Sequence, residues 1–175
     1  HTVTVTNTAP YKGFPKDFQD DLFKISITNN SESYNIELVS VAVKFVRATD
    51  EANMNTSEAQ HLFDSIEVCL AESLEYFRER RDTTVAGGAE DLDFNLVEGV
   101  LTINSPDPTS AQCTITVGET KTYYFAPHMK GDAIDLSFYV SLDADGSTAD
   151  AGKVSLRNAI TLEKELVAAT EVVYS

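Results

Sequence analysis

Short runs rich in Val, Ile, Thr, Tyr and Phe recur about every 8 to 15 residues, and Gly, Pro, Asn, Asp and Ser separate them. This recurrence constrains the fold more than any other feature of the chain. Runs so short and so often broken cannot build long amphipathic helices. Each must find its backbone partners in other runs, which is the pattern of a sandwich or barrel. The clearest are Leu22 to Thr28, Tyr34 to Phe45, Phe63 to Leu70, Val100 to Ile103, Cys113 to Val117, Thr120 to Phe125 and Ile134 to Leu142. In the second, Ile36, Leu38, Ser40, Ala42 and Lys44 alternate with Glu37, Val39, Val41, Val43 and Phe45. Both faces are largely apolar, so the run is expected to be a central strand. In the fifth, Cys113, Ile115 and Val117 are expected on the core face.

The opening segment reads His1-Thr2-Val3-Thr4-Val5-Thr6-Asn7-Thr8, with Val3 and Val5 on one face and Thr2, Thr4 and Thr6 on the other. Pro10, Gly13 and Pro15 then disfavour continuous pairing. The chain therefore divides into an N-terminal arm and linker over 1–21 and a β-sandwich domain over 22–175. The arm either folds back onto its own sheet or is donated to a neighbour. Helical signal is weak, with Ser57-Glu58-Ala59-Gln60 capping one short turn. Glu72 to Arg81 reads as strand and loop or as a short helix, while Ala159 to Glu163 and Leu166 to Ser175 have strand composition.

Twenty-eight acidic residues against thirteen basic ones give a net charge of −15, which repels phosphate backbones and anionic headgroups. Nucleic acid is excluded as a partner on that ground. The longest apolar run, Leu38 to Val46, is interrupted by Ser40 and Lys44 and is far short of the roughly 20 residues of a membrane helix. A start at His1 instead of Met fits either a processed mature protein or a piece excised from a longer one; signal-peptide removal is the natural explanation, so a secreted or cell-surface location is expected. In that setting Cys69 and Cys113, the two cysteines, are expected to form a disulfide, with two buried free thiols as the alternative. Closing that loop would contribute roughly 4 kcal/mol.

Leu62-Phe63-Asp64-Ser65-Ile66-Glu67-Val68, Asp82-Thr83-Thr84-Val85-Ala86, Leu101-Thr102-Ile103-Asn104, Val117-Gly118-Glu119-Thr120-Lys121-Thr122-Tyr123-Tyr124 and Leu142-Asp143-Ala144-Asp145 follow one another between Val41 and Leu142. In this order they resemble immunoglobulin-like modules of secreted prokaryotic surface proteins. Phe23-Lys24-Ile25-Ser26-Ile27-Thr28-Asn29-Asn30, followed by Val41-Ala42-Val43 and the Phe63 run, is also similar to the camelysin and TasA group of secreted matrix-fibre proteins. The resemblance implies an all-β fold, an immunoglobulin-like or jelly-roll-like antiparallel sandwich, with an adhesive or structural role and no catalytic residues. The charged stretch Glu72 to Arg81 departs from the acidic, glycine-containing loop of such modules.

Several residues are candidates for chemistry. His1 with His61 or His128, flanked by Tyr124 or Phe125, could chelate copper through nitrogen ligands, although the chain has no tryptophan. Asp143, Asp145 and Asp150 gather hard oxygens suited to calcium, the alternative being an ordinary acidic turn. No other cofactor is expected. The sequons at Asn29 and Asn55 are candidate glycosylation sites in exposed loops. Nucleophile elbows, phosphate loops, dinucleotide fingerprints and zinc-protease helices do not occur, so the chain is not expected to be an enzyme. The expected function is a structural subunit of an extracellular filament or surface layer, a homopolymer built by strand donation through Thr2, Val3, Thr4, Val5 and Thr6. The alternatives are a calcium- or carbohydrate-dependent adhesive module, which would bind other surface proteins or glycans, and a copper-dependent oxidoreductase.

Overall fold

The computed structural model describes residues 1–7, 11–12, 23–47, 49–50, 52, 54–72, 84–86, 92–95, 100–129, 137–141, 153–168 and 171–174. The strands are β1 (Thr2–Asn7), β2 (Tyr11–Lys12), β3 (Phe23–Thr28), β4 (Ile36–Arg47), β5 (Ile66–Ala71), β6 (Thr84–Ala86), β7 (Leu92–Asn95), β8 (Val100–Asn104), β9 (Thr114–Ile115), β10 (Thr120–Met129), β11 (Ser137–Ser141), β12 (Lys153–Asn158), β13 (Lys164–Ala168) and β14 (Glu171–Tyr174). A single helix among the described residues, α1 (Thr56–Ser65), separates β4 from β5. The strands form two sheets, one of six in the order β14-β1-β3-β10-β5-β6 and one of eight built around β4. Their inner faces pack together as an all-β sandwich, and every pairing is antiparallel except that of β1 with β14. No helix among the described residues is long and apolar enough to cross a membrane.

The apolar run over β4 does become a central strand, and its two apolar faces have a specific cause. One edge of β4 pairs with β12 and then β11, and the other with β9 and then β8. Leu156 lies opposite Leu38 but Ser155 lies opposite Ser40, so Val39 has no counterpart in β12. Its carbonyl accepts instead from the Ser105 amide at 2.8 Å. This bulge shifts the parity of the strand. Ile36 and Leu38 face the core before it, and Val41, Val43 and Phe45 after it. Ala42, on the other face, packs with Val100 in a second small cluster.

The main core takes Val3, Ile25, Ile27, Leu70, Tyr123 and Phe125 from the six-stranded sheet. Opposite them lie Leu101, Ile103, Ile115, Phe138, Val154 and Leu156, beside the core residues of β4. Met54, Ala59 and Leu62 join from the helical segment. Phe45 spans the layers, with ring centroids 6.3 Å from Phe125 and 6.0 Å from Phe138. Buried Glu37 points away from this core and receives Arg157 Nε at 2.7 Å from the neighbouring strand. The Tyr123 hydroxyl donates to the Gln112 carbonyl at 2.7 Å, and burial pushes its ionisation far up, so it stays a donor.

Several sequence expectations change. The helix runs through Ser65, so the Phe63 run begins as helix and only Ile66 onward is strand. Its cap is Asn55 and not Ser57: Asn55 Oδ1 accepts from the Glu58 amide at 2.9 Å while Glu58 Oε1 accepts from the Asn55 amide at 3.2 Å, a reciprocal capping box. Ala159 to Thr161 form a turn between β12 and β13. Val117, expected in the core, is 45% exposed because the chain turns at Thr116 to Glu119. Gly118 has φ 73° there, and an added Cβ would meet nothing within 4 Å. Gly118→Ala is therefore expected to lose about 1 kcal/mol through backbone conformation alone, read in urea melts. A loss of several kcal/mol would mean that the turn is sterically closed.

Candidate functional site

The first strand lies inside a sheet. β1 pairs with β3 along its whole length, from Thr2 opposite Thr28 to Asn7 opposite Phe23. On its other edge it runs parallel to β14, with Thr4 beside Glu171 and Asn7 beside Tyr174. β1 is the sole sheet partner of β14 among the described strands. No hairpin joins β1 to either neighbour: after it the chain visits the other sheet at β2, which pairs with β11, before returning as β3. The arm expected over 1–21 is thus paired within its own chain at both β1 and β2.

Alternation sets what β1 contributes. Val3 is fully buried in the main core opposite Ile27. Thr2 and Thr4 lie on the other face in rows with β3 and β10: Thr2, Thr28 and Thr120, then Thr4, Ser26 and Thr122. Hydroxyls along these rows bond one another, Thr28 to Thr120 at 2.8 Å and Ser26 to Thr122 at 2.9 Å, while Asn30 Nδ2 donates to Thr2 Oγ1 at 2.7 Å. Val5 and Thr6 continue the ladder, opposite Ile25 and Lys24, and their side chains lie outside the described set.

The start of β1 is held by its neighbours. His1 Nδ1 accepts from the Asn30 amide at 3.3 Å, and the ring meets Tyr34 edge-on at 6.0 Å between centroids. Its Nε2 is 3.9 Å from Glu165 Oε2 on β13. A cavity of about 130 Å³ adjoins the ring, with Ile36, Leu156, Arg157 and Lys164 among its walls.

Asn29 anchors the same end. Its Nδ2 donates to the carbonyls of Tyr34 and Ile115 at 2.9 and 3.0 Å, and its Oδ1 accepts from the Ser31 amide at 2.9 Å. Its backbone exchanges hydrogen bonds with Gly118 and Glu119. Two hydrogen bonds from Thr116, amide and hydroxyl, hold the Glu119 carboxyl below its usual range, and Lys121 adds to the effect. Asn29 is fully buried and both its amide protons are used, which corrects the expectation of a glycosylated, exposed loop there. Asn55 is exposed and caps α1.

The remaining candidates separate. Cys69 and Cys113 are both buried and are not joined to each other, which corrects the expected disulfide. Cys113 belongs to the core cluster, whereas alternation turns Cys69 to the face opposite that of its neighbour Leu70. The two thiols therefore do not face each other across the core. His1 adjoins the row Thr2, Thr28 and Thr120, but His128 lies eight residues further along β10, roughly 26 Å at strand spacing. His61 precedes β5, whose first residue pairs with Met129, so it too belongs to that far end. The copper ligands proposed from sequence therefore do not meet. Among the described residues no group of three His, Cys, Asp or Glu side chains could hold a metal. Asp143, Asp145 and Asp150 lie outside the described residues.

Sequence reasoning missed Asn29 as a hub, because the sequon drew attention to its surface chemistry. Its position directly after a strand of alternating Ile and Ser, before a polar turn, was the available signal. No protein-family model matches this chain, and no curated protein matches it.

Proposed function

We propose that this protein is a self-assembling structural subunit of an extracellular filament or surface layer, and that β1 is the strand its copies exchange. The observation that carries the reading is the place of β1 between two strands to which no hairpin ties it. If β1 leaves, β3 becomes an edge with open amides and carbonyls, β14 loses its sheet partner and the site of Val3 in the core opens. An identical strand from another copy restores every one of those interactions. The contact is heterologous, and repeated from copy to copy it need not close.

Magnitudes set the conditions. Burying Val3 is worth about 1.5 to 3 kcal/mol, and the backbone ladder is the same whichever copy supplies the strand. Exchange is therefore nearly neutral per contact. A tethered strand competes for its own slot at an effective concentration on the order of millimolar. Assembly then belongs to crowded settings such as a cell surface, where the local concentration of subunits matches the tether.

Removing residues 1 to 7 is expected to give a folded chain that forms no filaments in electron micrographs and that binds a peptide of the same seven residues. The intact chain, concentrated above the millimolar range with fluorescent peptide, reports the same exchange without depending on the fold of the shortened one. Filaments from the shortened chain would overturn the reading.

A further inference from the structure

We infer that the outer edge of β13 is a contact surface for a second copy of this chain, the two β13 strands pairing antiparallel about a two-fold axis through Leu166. Among the described strands β13 ends the eight-stranded sheet and pairs with β12 alone. Its other edge therefore offers amides and carbonyls to a strand that fits it. Exposed apolar side chains gather at the same place. Of the four large ones among the described residues, Leu166 lies on β13, and Ile160 and Leu162 lie on the turn that leads into it. Leu162 is 56% exposed and holds its side chain at φ 62°, where glycine or asparagine fits with less strain.

The residues of β13 select both the occupant and the register. Val167 joins the core opposite Val154, so Glu165 shares its face while Lys164, Leu166 and Ala168 lie on the outer one. Opposed residues of an antiparallel pair share a face, so a two-fold axis between two such strands passes through a residue and not between two. Centred on Lys164, the pairing opposes two lysines and sets Glu163 against Glu165; centred on Glu165, it opposes two glutamates. Like charges directly opposite are destabilising. Centred on Leu166, it opposes leucine to leucine, Lys164 to Ala168 and Glu165 to Val167, with no like charges together. Leu166 is also the middle of the five residues of β13, so this register pairs the whole strand. Centred on Val167, the pairing leaves Lys164 and Glu165 beyond the end of the second strand.

A ladder of this length covers less than the about 800 Å² per copy of a stable complex, so the contact is weak by itself. It gains weight where copies are already held side by side, as in a layer. The contact goes beyond strand exchange and does not depend on it, since β12 holds β13 whichever copy supplies β1.

Single cysteines read the register. In Leu166→Cys the two new thiols belong to an opposed pair, about 4.5 to 5.5 Å apart between Cα atoms, whereas Lys164→Cys alone places them roughly 14 Å apart, out of reach of a disulfide. The variants are oxidised at micromolar concentration, far below the millimolar range of strand exchange. Leu166→Cys is expected to form a disulfide-linked dimer at least about tenfold faster than Lys164→Cys or Ala168→Cys alone. Lys164→Cys mixed with Ala168→Cys is expected to give the mixed dimer faster than either forms its own. Lys164 and Leu166 are exposed, so their replacement leaves the core untouched, and the parent, whose cysteines are buried, gives the blank. Equal rates for the three single variants, or a mixture no faster than its components, would overturn the contact. A failure of strand exchange would show instead as absent filaments with this pattern of dimers intact.

Discussion

Phe45→Ala is expected to destabilise the protein by about 4 kcal/mol, measured as a lower midpoint in guanidinium melts. Phe45 is fully buried, and its ring meets Phe125 of the opposite sheet and Phe138 of its own. Its carbonyl also accepts from the Met54 amide at 2.9 Å, which fixes the chain ahead of α1. Truncation removes the ring that both neighbours lean on, and two sheets held by their own ladders cannot collapse into the space. Part of the loss is transfer of the side chain and part is the cavity left behind. Phe45→Leu fills most of that cavity and should recover more than half of the loss. A loss below about 1 kcal/mol for Phe45→Ala would show that the sheets are not joined through this residue.

Asn29→Ala is expected to cost about 2 to 4 kcal/mol, because two carbonyl oxygens lose their donors at once. Those of Tyr34 and Ile115 each receive one proton of the Asn29 amide, and Asn29 itself has no exposed surface. The Ser31 amide loses its acceptor as well. Asn29→Asp keeps the size and the acceptor for Ser31 but presents oxygen to both carbonyls, so it should be no milder. If either variant melts with the parent, Asn29 is not the anchor of this end, and the pairing of β1 with β3 beside it needs another support.

What the sequence conveyed was the local pattern. β-Branched and aromatic runs located β3, β4, β8, β10 and β11 to within a few residues, because a half-buried strand needs that alternation wherever it ends up. β12 was not recognised: Lys153-Val154-Ser155-Leu156-Arg157-Asn158 reads as mixed, since Ser155 is buried at the bulge and Arg157 is paired with Glu37. The parity change in β4 was equally hidden, because a bulge at Val39 depends on what Ser105 and β12 do. Partnerships between distant segments had no local signature at all. Nothing in Thr2-Val3-Thr4 states that Glu171 will lie beside Thr4, and pairing over such a separation is fixed by the closing of the whole sandwich. The cysteines show the same limit, since their presence in strand-like segments says nothing of the faces they occupy.

The exchange of β1 is tested most directly by a pair of cysteines at positions that face each other across the β1–β3 ladder, Thr4→Cys with Ser26→Cys. Opposed residues of an antiparallel pair lie about 4.5 to 5.5 Å apart between Cα atoms, within reach of a disulfide. Oxidised while dilute, the variant is expected to run as a locked monomer on a non-reducing gel and to form no filaments afterwards. Oxidised after concentration above the millimolar range, it is expected to give a ladder of dimers, trimers and longer chains that collapses to monomer on reduction. Concentrated material that yields only the internally bridged monomer would contradict strand exchange.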